Sequence, residues 1–479
     1  VLRVKWYELC LANEALRTND GHLCKMKIGV YSLRRYGNVF QNWRQNMVRD
    51  KWYTLYGHLL SFNRLKKAFR KVKKNGGAPG TDGQTIAQFD DDIIENLEEI
   101  KEELQEKSYH PSPVKRVYID KGNGEKRPLG IPTVKDRVVQ QVLKDVIEPI
   151  FEPIFLECSY GFRPEMSAHM AIKQVKEYLK EGYVWVVDAD IKSYFDTINH
   201  KLLIDAVAEK ISDGSILNLI GMFLESEIKD GEGLTIPEMG TPQGGVISPL
   251  LANIYLHKFD KEMTERGHKL VRYADDWIIL KRTMLAGRRI MSGAKAYLQE
   301  ELKLKMHPKK SKLIDARKES FEFLGYYFRI YEDKGQGKDN VIFGPSYKSI
   351  DKFKDKIREI TRRNQTTSAK AIIDRLKPKL RGWGNYFGIG WVKSLFRKLD
   401  SWIKRRIRMI QLRSWKNPGK LVAILKNKGW KGKIKRISMT SWKNSSCQIV
   451  HFIMDNEWFQ DNGWVSLTDV RQKIMSQNG

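Results

Sequence analysis

Three aspartates in this sequence stand where acids are costly. Asp190 closes the apolar run that begins at Val184, and Asp275 and Asp276 lie between Tyr273 and Trp277. Carboxylates at the tips of apolar strands are partly desolvated and repel one another, a cost that a divalent cation removes. Oxygen ligands from two strands, with positions left over for phosphate oxygens, suit Mg²⁺. Two such ions about 3.5–4 Å apart stabilise both the attacking and the leaving oxygen of an in-line phosphoryl displacement. The same residues also fit a plainer role, because hairpin turns favour aspartate whatever their function. Asp188 lies two residues before Asp190 and shares its strand face, so spacing alone does not choose between them.

The elements that must carry these acids are readable around them. Val184–Asp190 is rich in β-branched residues and reads as a strand, while Leu270–Tyr273 and Trp277–Leu280 read as two short strands of a hairpin. Gly240-Thr-Pro-Gln-Gly-Gly245 is a loop that hands over to a helix, with Ser248 as N-cap and Pro249 as first helical residue. Gly244 and Gly245 let the backbone approach a ligand closely. The loop lacks Gly-Lys-Ser/Thr, which excludes a nucleotide-hydrolysing P-loop. Upstream, Met47–Lys74 reads as a helix, Asn75–Gly83 as a loop, and Ile93–Leu104 as a charged helix. Val114–Ile119 and Lys126–Ile131 form a hairpin turning at Lys121–Gly124. Asp136–Phe151 and Ser167–Lys180 are helical, Asp196 reads as the N-cap of a helix through His200, and Phe321–Ile330 is a strand pair. Beyond Lys334–Asn340 the chain turns helical and basic.

Composition narrows the class. The 479 residues carry 86 Lys+Arg against 57 Asp+Glu, a net charge of +29, and 41% are hydrophobic. That length suits several domains with sizeable cores. No apolar run reaches membrane-spanning length and no secretory pattern opens the chain, so a membrane or secreted protein is not expected. The cysteines (Cys10, Cys24, Cys158, Cys447) are scattered, with neither zinc spacing nor a disulfide framework. Residues 341–479 hold 31 Lys+Arg against 9 Asp+Glu, a net of +22, and eight of the 13 tryptophans. Cations interleaved with rings suit phosphate backbones and unstacked bases. A membrane surface is the rival partner, but the stretch has no clean amphipathic stripe.

Tyr273-Ala-Asp-Asp276, preceded by Thr241-Pro-Gln-Gly-Gly-Val-Ile-Ser-Pro-Leu-Leu-Ala-Asn-Ile254 and Asp190-Ile-Lys-Ser-Tyr-Phe-Asp196, resembles the motif order of group II intron reverse transcriptase-maturases. Gly77-Ala-Pro-Gly-Thr-Asp-Gly83 resembles that family's N-terminal extension. Lys126-Arg-Pro-Leu-Gly-Ile-Pro132 and Ser159-Tyr-Gly-Phe-Arg-Pro164 resemble its finger motifs, Phe323-Leu-Gly-Tyr326 its primer-grip strand, and Leu380-Arg-Gly-Trp-Gly-Asn-Tyr-Phe387 its thumb. The likeness runs from about residue 50 to the end of the sequence.

The resemblance implies an α+β right-hand polymerase: residues 47–135 as N-terminal extension and fingers, 136–335 as an antiparallel-sheet palm, 341–425 as a helical basic thumb or maturase domain, and 426–479 as a DNA-binding-like tail. Residues 1–46 form an extension of unclear status, with Met47 as a candidate initiator. Asp190, Asp275 and Asp276 would be catalytic. Asp190, Asp275 and the backbone carbonyl of Ile191 would hold two Mg²⁺ ions, with Mn²⁺ as substitute, and the family pattern selects Asp190 over Asp188. Phe195 would lie against the incoming sugar and exclude a 2′-hydroxyl, Gln243 would contact the nascent pair, and Arg127, with Lys121 and Lys126, would hold the triphosphate. Lys310 would assist the leaving pyrophosphate. Arg381, Trp383, Lys404, Arg405, Arg406, Arg408 and Arg413 would bind nucleic acid.

The implied partners are group II intron RNA, an RNA template with DNA primer, target DNA and deoxynucleoside triphosphates, in a ribonucleoprotein of the bacterial cytoplasm. No Cys/His-rich endonuclease follows Cys447, which points to the compact, class C type. Two rivals remain: a CRISPR-associated or otherwise domesticated reverse transcriptase, and an RNA-binding splicing factor without synthesis.

Overall fold

The computed structural model describes residues 51–478 except 121–123, 125, 232, 309, 333–338, 363–366 and 435–437. The expectations for residues 1–46 and for Lys121 therefore lie outside the described residues. In chain order the strands are β1 (Val114–Asp120), β2 (Lys126–Ile131), β3 (Trp185–Ala189), β4 (Ile228–Asp230), β5 (Gly233–Thr235) and β6 (Lys269–Tyr273). They continue with β7 (Asp276–Lys281), β8 (Lys312–Asp315), β9 (Phe321–Phe323), β10 (Tyr326–Glu332) and β11 (Asp339–Pro345).

The central sheet has the order β6-β7-β3-β8 and is antiparallel throughout. Its strands are apolar on both faces because both faces are covered. Val187, Ala189, Trp277 and Ile279 pack into one core with helices Val134–Phe151, Ser248–Glu265 and Met284–Glu300. Val186, Val271, Ile278 and Leu280 point the other way, into a second core with helix Ala168–Lys180, strands β9–β11 and the C-terminal helices. This alternation fixes the register, since a slip of one residue would exchange the two faces. A second sheet, β2-β1-β4-β5, joins the β1–β2 hairpin to β4 in parallel.

Helices Tyr347–Ile360, Ala369–Phe387 and Lys393–Trp415 form the C-terminal bundle. Trp383 stacks on Phe353 with centroids 4.3 Å apart. The last helix, Leu467–Asn478, folds back onto this bundle. A Cβ on Gly384 would lie 2.9 Å from Val470, so glycine is what lets the two helices meet there. Asp400 caps the returning helix, accepting from the Leu467 and Thr468 amides at 3.0 and 3.1 Å. Phe459 and Leu467 thereby join the bundle's own core, while Met439, Ile449, Val450, Ile453 and Met454 form a smaller core with Leu412, Leu421 and Leu425.

Three local expectations give way to tertiary contacts. Among the described residues the expected Met47–Lys74 helix is helical from Phe62, and its first residues, 47–50, lie outside the described residues. Trp52 instead bridges to Ile211, and the Leu55 and Tyr56 amides donate to Asp213 at 2.6 and 2.8 Å. Ser248 is the first helical residue, and Ile247 is the N-cap. The Ser248 hydroxyl is spent on the preceding loop, accepting from Thr241 and donating to the Pro242 carbonyl. Asn199, not Asp196, caps the helix that starts at His200. No described helix is long and apolar enough to cross a membrane.

Candidate active site

The acids meet at one end of the central sheet. β3 and β7 pair Ala189 with Trp277, so the next step of the register sets Asp190 opposite Asp276. Tyr273 pairs with Asp276, which leaves Ala274 and Asp275 as a two-residue turn. Ala274 takes a left-handed φ of 58°, a conformation that costs a residue with a Cβ about 1–2 kcal/mol. The turn is held from below by a fully buried arginine. Arg272 donates to Asp260 at 2.7 and 2.5 Å, to Asn253 at 2.9 Å, to the Ala274 carbonyl at 2.8 Å and to Ser159 at 2.7 Å. Gly161 lies so close that a Cβ there would stand 2.3 Å from the Ala274 nitrogen.

Crowding shows in the titration of these acids. Burial first, then the Asp190 carboxylate, raises the pKa of Asp275. Asp276 remains open to solvent on its outer side, yet the surrounding protein, then Asp275 and Asp190, push it up to about 6. Burial, then Asp276 and Asp190, raise Asp188 to about 7. Asp190 is held by the Lys310 ammonium at 2.7 Å.

Among the described residues no three acidic, His or Cys side chains close on one point. The oxygen donors are nevertheless those a hard cation takes. Ile191 faces Met306 as a non-hydrogen-bonded pair, flanked by Lys192 N–H to Lys305 and His307 N–H to Asp190. Its carbonyl therefore points away from Met306, toward the side where β7 and the acidic turn lie. Two carboxylates and that carbonyl make an all-oxygen set.

The residues expected on the nucleotide side come together from strand β2, the loop at 240–245 and the short helix Tyr194–Thr197. Arg127 on β2 donates to Gln243 at 2.8 Å, and its charge lowers the Asp275 pKa. The Gly130 amide donates to the Gln243 carbonyl at 2.6 Å. A Cβ on Gly244 would meet the Gly130 carbonyl at 2.2 Å, so only glycine fits this approach. Phe195 and Gln243 line a cavity of about 300 Å³ together with Pro128, Gly130 and Met239. Tyr194 and Phe195 are both buried, and the Tyr194 hydroxyl donates to the Ala252 carbonyl at 2.6 Å. Lys126 is exposed on β2 and is not brought to the acids by any described contact.

The basic C-terminal residues require correction. Arg408 is buried, donating to the Met454 carbonyl at 3.0 Å under the Phe459 ring, so it does not face a nucleic acid. Trp383 is spent on Phe353, Phe387 and Phe396. Lys404 reaches Asn456 and lies over Phe459, Arg405 lies over Trp442, and Arg406 bonds Thr361 beside Trp402. Here the interleaving of cations and rings is internal cation–π packing. Arg413 is half-buried and Arg381 exposed.

Sequence reasoning missed Arg272, Asn253 and Asp260, and also Gln140, which accepts the Val246 amide at 2.7 Å, and His200, whose ring bonds the Gly240 carbonyl at 2.6 Å. An arginine in the otherwise apolar strand leading to the acidic turn was the available signal. Asp188 yields a direct test. Its folded pKa stands above the ordinary carboxylate value, so its ionisation opposes folding. Without metal, Asp188→Asn should stabilise the chain increasingly as pH rises from about 4 and level off above about 7. Urea unfolding in EDTA across that range measures it, and a pH-independent difference would refute the assignment.

Comparison with known proteins agrees with this geometry. Residues 119–328 match the family described as reverse transcriptase (RNA-dependent DNA polymerase), and residues 350–430 match the group II intron maturase-specific domain. Group II intron-encoded protein LtrA of Lactococcus lactis subsp. cremoris is 30% identical over 434 residues, covering 72% of each chain. Protein YkfC of Escherichia coli (strain K12) is 36% identical over 302 residues, 55% of this chain and 79% of its own. A chain of a partial Cas6-RT-Cas1–Cas2 complex is 23% identical over 52% of this chain and 43% of its own, with a TM-score of 0.34. The chain belongs to the group II intron-encoded reverse transcriptases that carry a maturase domain. It is thus an RNA-directed DNA polymerase of a family that uses Mg²⁺.

Proposed function

We propose that the chain copies group II intron RNA into DNA at the acidic end of the central sheet, and that its C-terminal bundle binds and folds that RNA for splicing and mobility. The observation that carries this is that Asp190, Asp275 and Asp276 share one end of the central sheet, close enough to act on one another electrostatically, with the Arg127 of the Arg127–Gln243 pair acting on Asp275. Residues 47–135 act as extension and fingers, 136–335 as palm, and the helices after 341 as thumb with a DNA-binding tail.

Asp190, Asp275 and the Ile191 carbonyl would hold two Mg²⁺ ions, replaceable by Mn²⁺. When bound, these ions stabilise charge on the attacking and leaving oxygens. Asp276 keeps the turn acidic. Arg127 presents a planar fork to the triphosphate, with Lys126 and Lys121 adding charge. Gln243, fixed through Gly130, meets the nascent pair, and Phe195 abuts the sugar. Lys310, now on Asp190, supplies a positive charge for departing pyrophosphate.

The RNA template and DNA primer run in the open groove of about 730 Å³ bounded by Asp120 on β1 and by Lys352, Lys356 and Arg362. Intron RNA and target DNA contact exposed cations of the bundle such as Arg381, Arg397 and Lys398. The setting is a ribonucleoprotein in the bacterial cytoplasm.

Primer extension on an RNA template with Mg²⁺, beside a splicing assay with the cognate intron RNA, tests the reading. Deoxynucleotide addition together with faster splicing supports it. Splicing help without extension would leave an RNA-binding factor, and extension without intron-specific binding would leave a domesticated reverse transcriptase.

A further inference from the structure

We propose that Arg272 is the positioning residue of the acidic turn, acting through the Ala274 carbonyl to fix where Asp275 meets a cation shared with Asp190. The inference rests on the polymerase reading and goes beyond it, since the hydrogen bonds of Arg272 go to Asp260, Asn253, Ala274 and Ser159, none of them a residue proposed to hold metal or nucleotide.

A buried guanidinium needs a counter-charge, and Asp260, equally buried, supplies one at 2.5 Å. That pair alone would satisfy the charge. The remaining donors instead reach Asn253, Ser159 and the Ala274 carbonyl, on three different segments. The last contact matters most. Ala274 is held at a φ of 58°, where an alanine tends to relax toward an ordinary turn and carry Asp275 with it. Asn253 completes a clamp, accepting from Arg272 and donating to the Gly161 carbonyl at 2.8 Å. Gly161 in turn abuts the Ala274 amide. The turn is therefore gripped from the helix, from its own strand and from the Ser159–Phe162 loop. Only a forked side chain reaches Asp260 and Ala274 together.

R272K keeps a cation for Asp260 and loses the fork. The expected result is a fall of about 10–100-fold in the rate constant for primer extension, with the deoxynucleotide KM unchanged. The Mg²⁺ concentration for half-maximal rate should rise by a similar factor. Mn²⁺ binding to the nucleic-acid-free protein, read by electron paramagnetic resonance, should weaken by about tenfold or more. Ala274→Gly removes the cost of the left-handed backbone, so the A274G/R272K double variant should recover part of both losses.

A folded R272K that binds Mn²⁺ as the parent does overturns the proposal, as does a double variant no better than R272K. Should R272K fail to fold, Ser159→Ala removes one acceptor of the same guanidinium and leaves the Asp260 pair. Weakened Mn²⁺ binding in S159A then supports the proposal, and unchanged binding overturns it. Extension by the parental chain tests the underlying reading separately, because Mn²⁺ binding compares variant with parent whether or not synthesis occurs.

Discussion

Replacing Asp275 with Asn should abolish primer extension, by about 10⁴-fold or more, while binding of intron RNA is unchanged. The substitution keeps the size and polarity of the side chain and removes only the charge. That charge is disfavoured in the metal-free fold, since burial and Asp190 raise the Asp275 pKa. D275N should therefore melt at a higher temperature than the parent in EDTA, and Mg²⁺ should no longer raise its melting temperature. A residue kept at a cost to stability and lost at the cost of all synthesis is one selected for its charge. Single-nucleotide extension under saturating substrate, with calorimetry in EDTA and in Mg²⁺, checks both halves. A D275N protein extending within about tenfold of the parental rate would remove this carboxylate from the chemistry.

The second large effect concerns the sugar. Phe195→Ala should lower the preference for deoxyribonucleotides over ribonucleotides by about 10–200-fold. The ring is buried, at 7% exposure, yet lines the cavity that Gln243 also borders. Its main chain is fixed independently of the ring: the Phe195 carbonyl accepts the Thr241 amide at 2.7 Å, and Gly240 packs against that same oxygen. Truncation therefore opens space at the ring without moving the loop. Phe195→Val is the milder version and should show a smaller shift in the same direction. The ratio of kcat/KM values for matched deoxy and ribo substrates measures it. An unchanged ratio in a folded variant would return Phe195 to a purely packing role.

The palm was readable because its signals are local. Strand alternation separates Val186 and Ile278 from Val187 and Ile279 with a period of two, and the order of the acidic, glutamine and glycine motifs left little freedom of assembly. The contacts that correct the reading join residues far apart in sequence. Trp52 meets Ile211, and the amides of Leu55 and Tyr56 meet Asp213, so residues 52–56 are held by distant partners and not by the expected helix. Arg408 finds the Met454 carbonyl 46 residues away, so a stretch that looks like a solvated cationic face is partly interior. Ser248 and Asp196 carry sound cap chemistry, but Thr241, Pro242 and Asn199 decide how it is used. Charge and ring content identify a polyanion-binding region; they do not say which cation is spent at home.

The return of helix Leu467–Asn478 onto the bundle sets an order of events during translation. Asp400 waits for the amides of Leu467 and Thr468, and the space beside Gly384 stays uncovered until Val470 arrives. The central sheet is complete once Asp315 has been made, but the C-terminal bundle stays open until residues 467–470 join it.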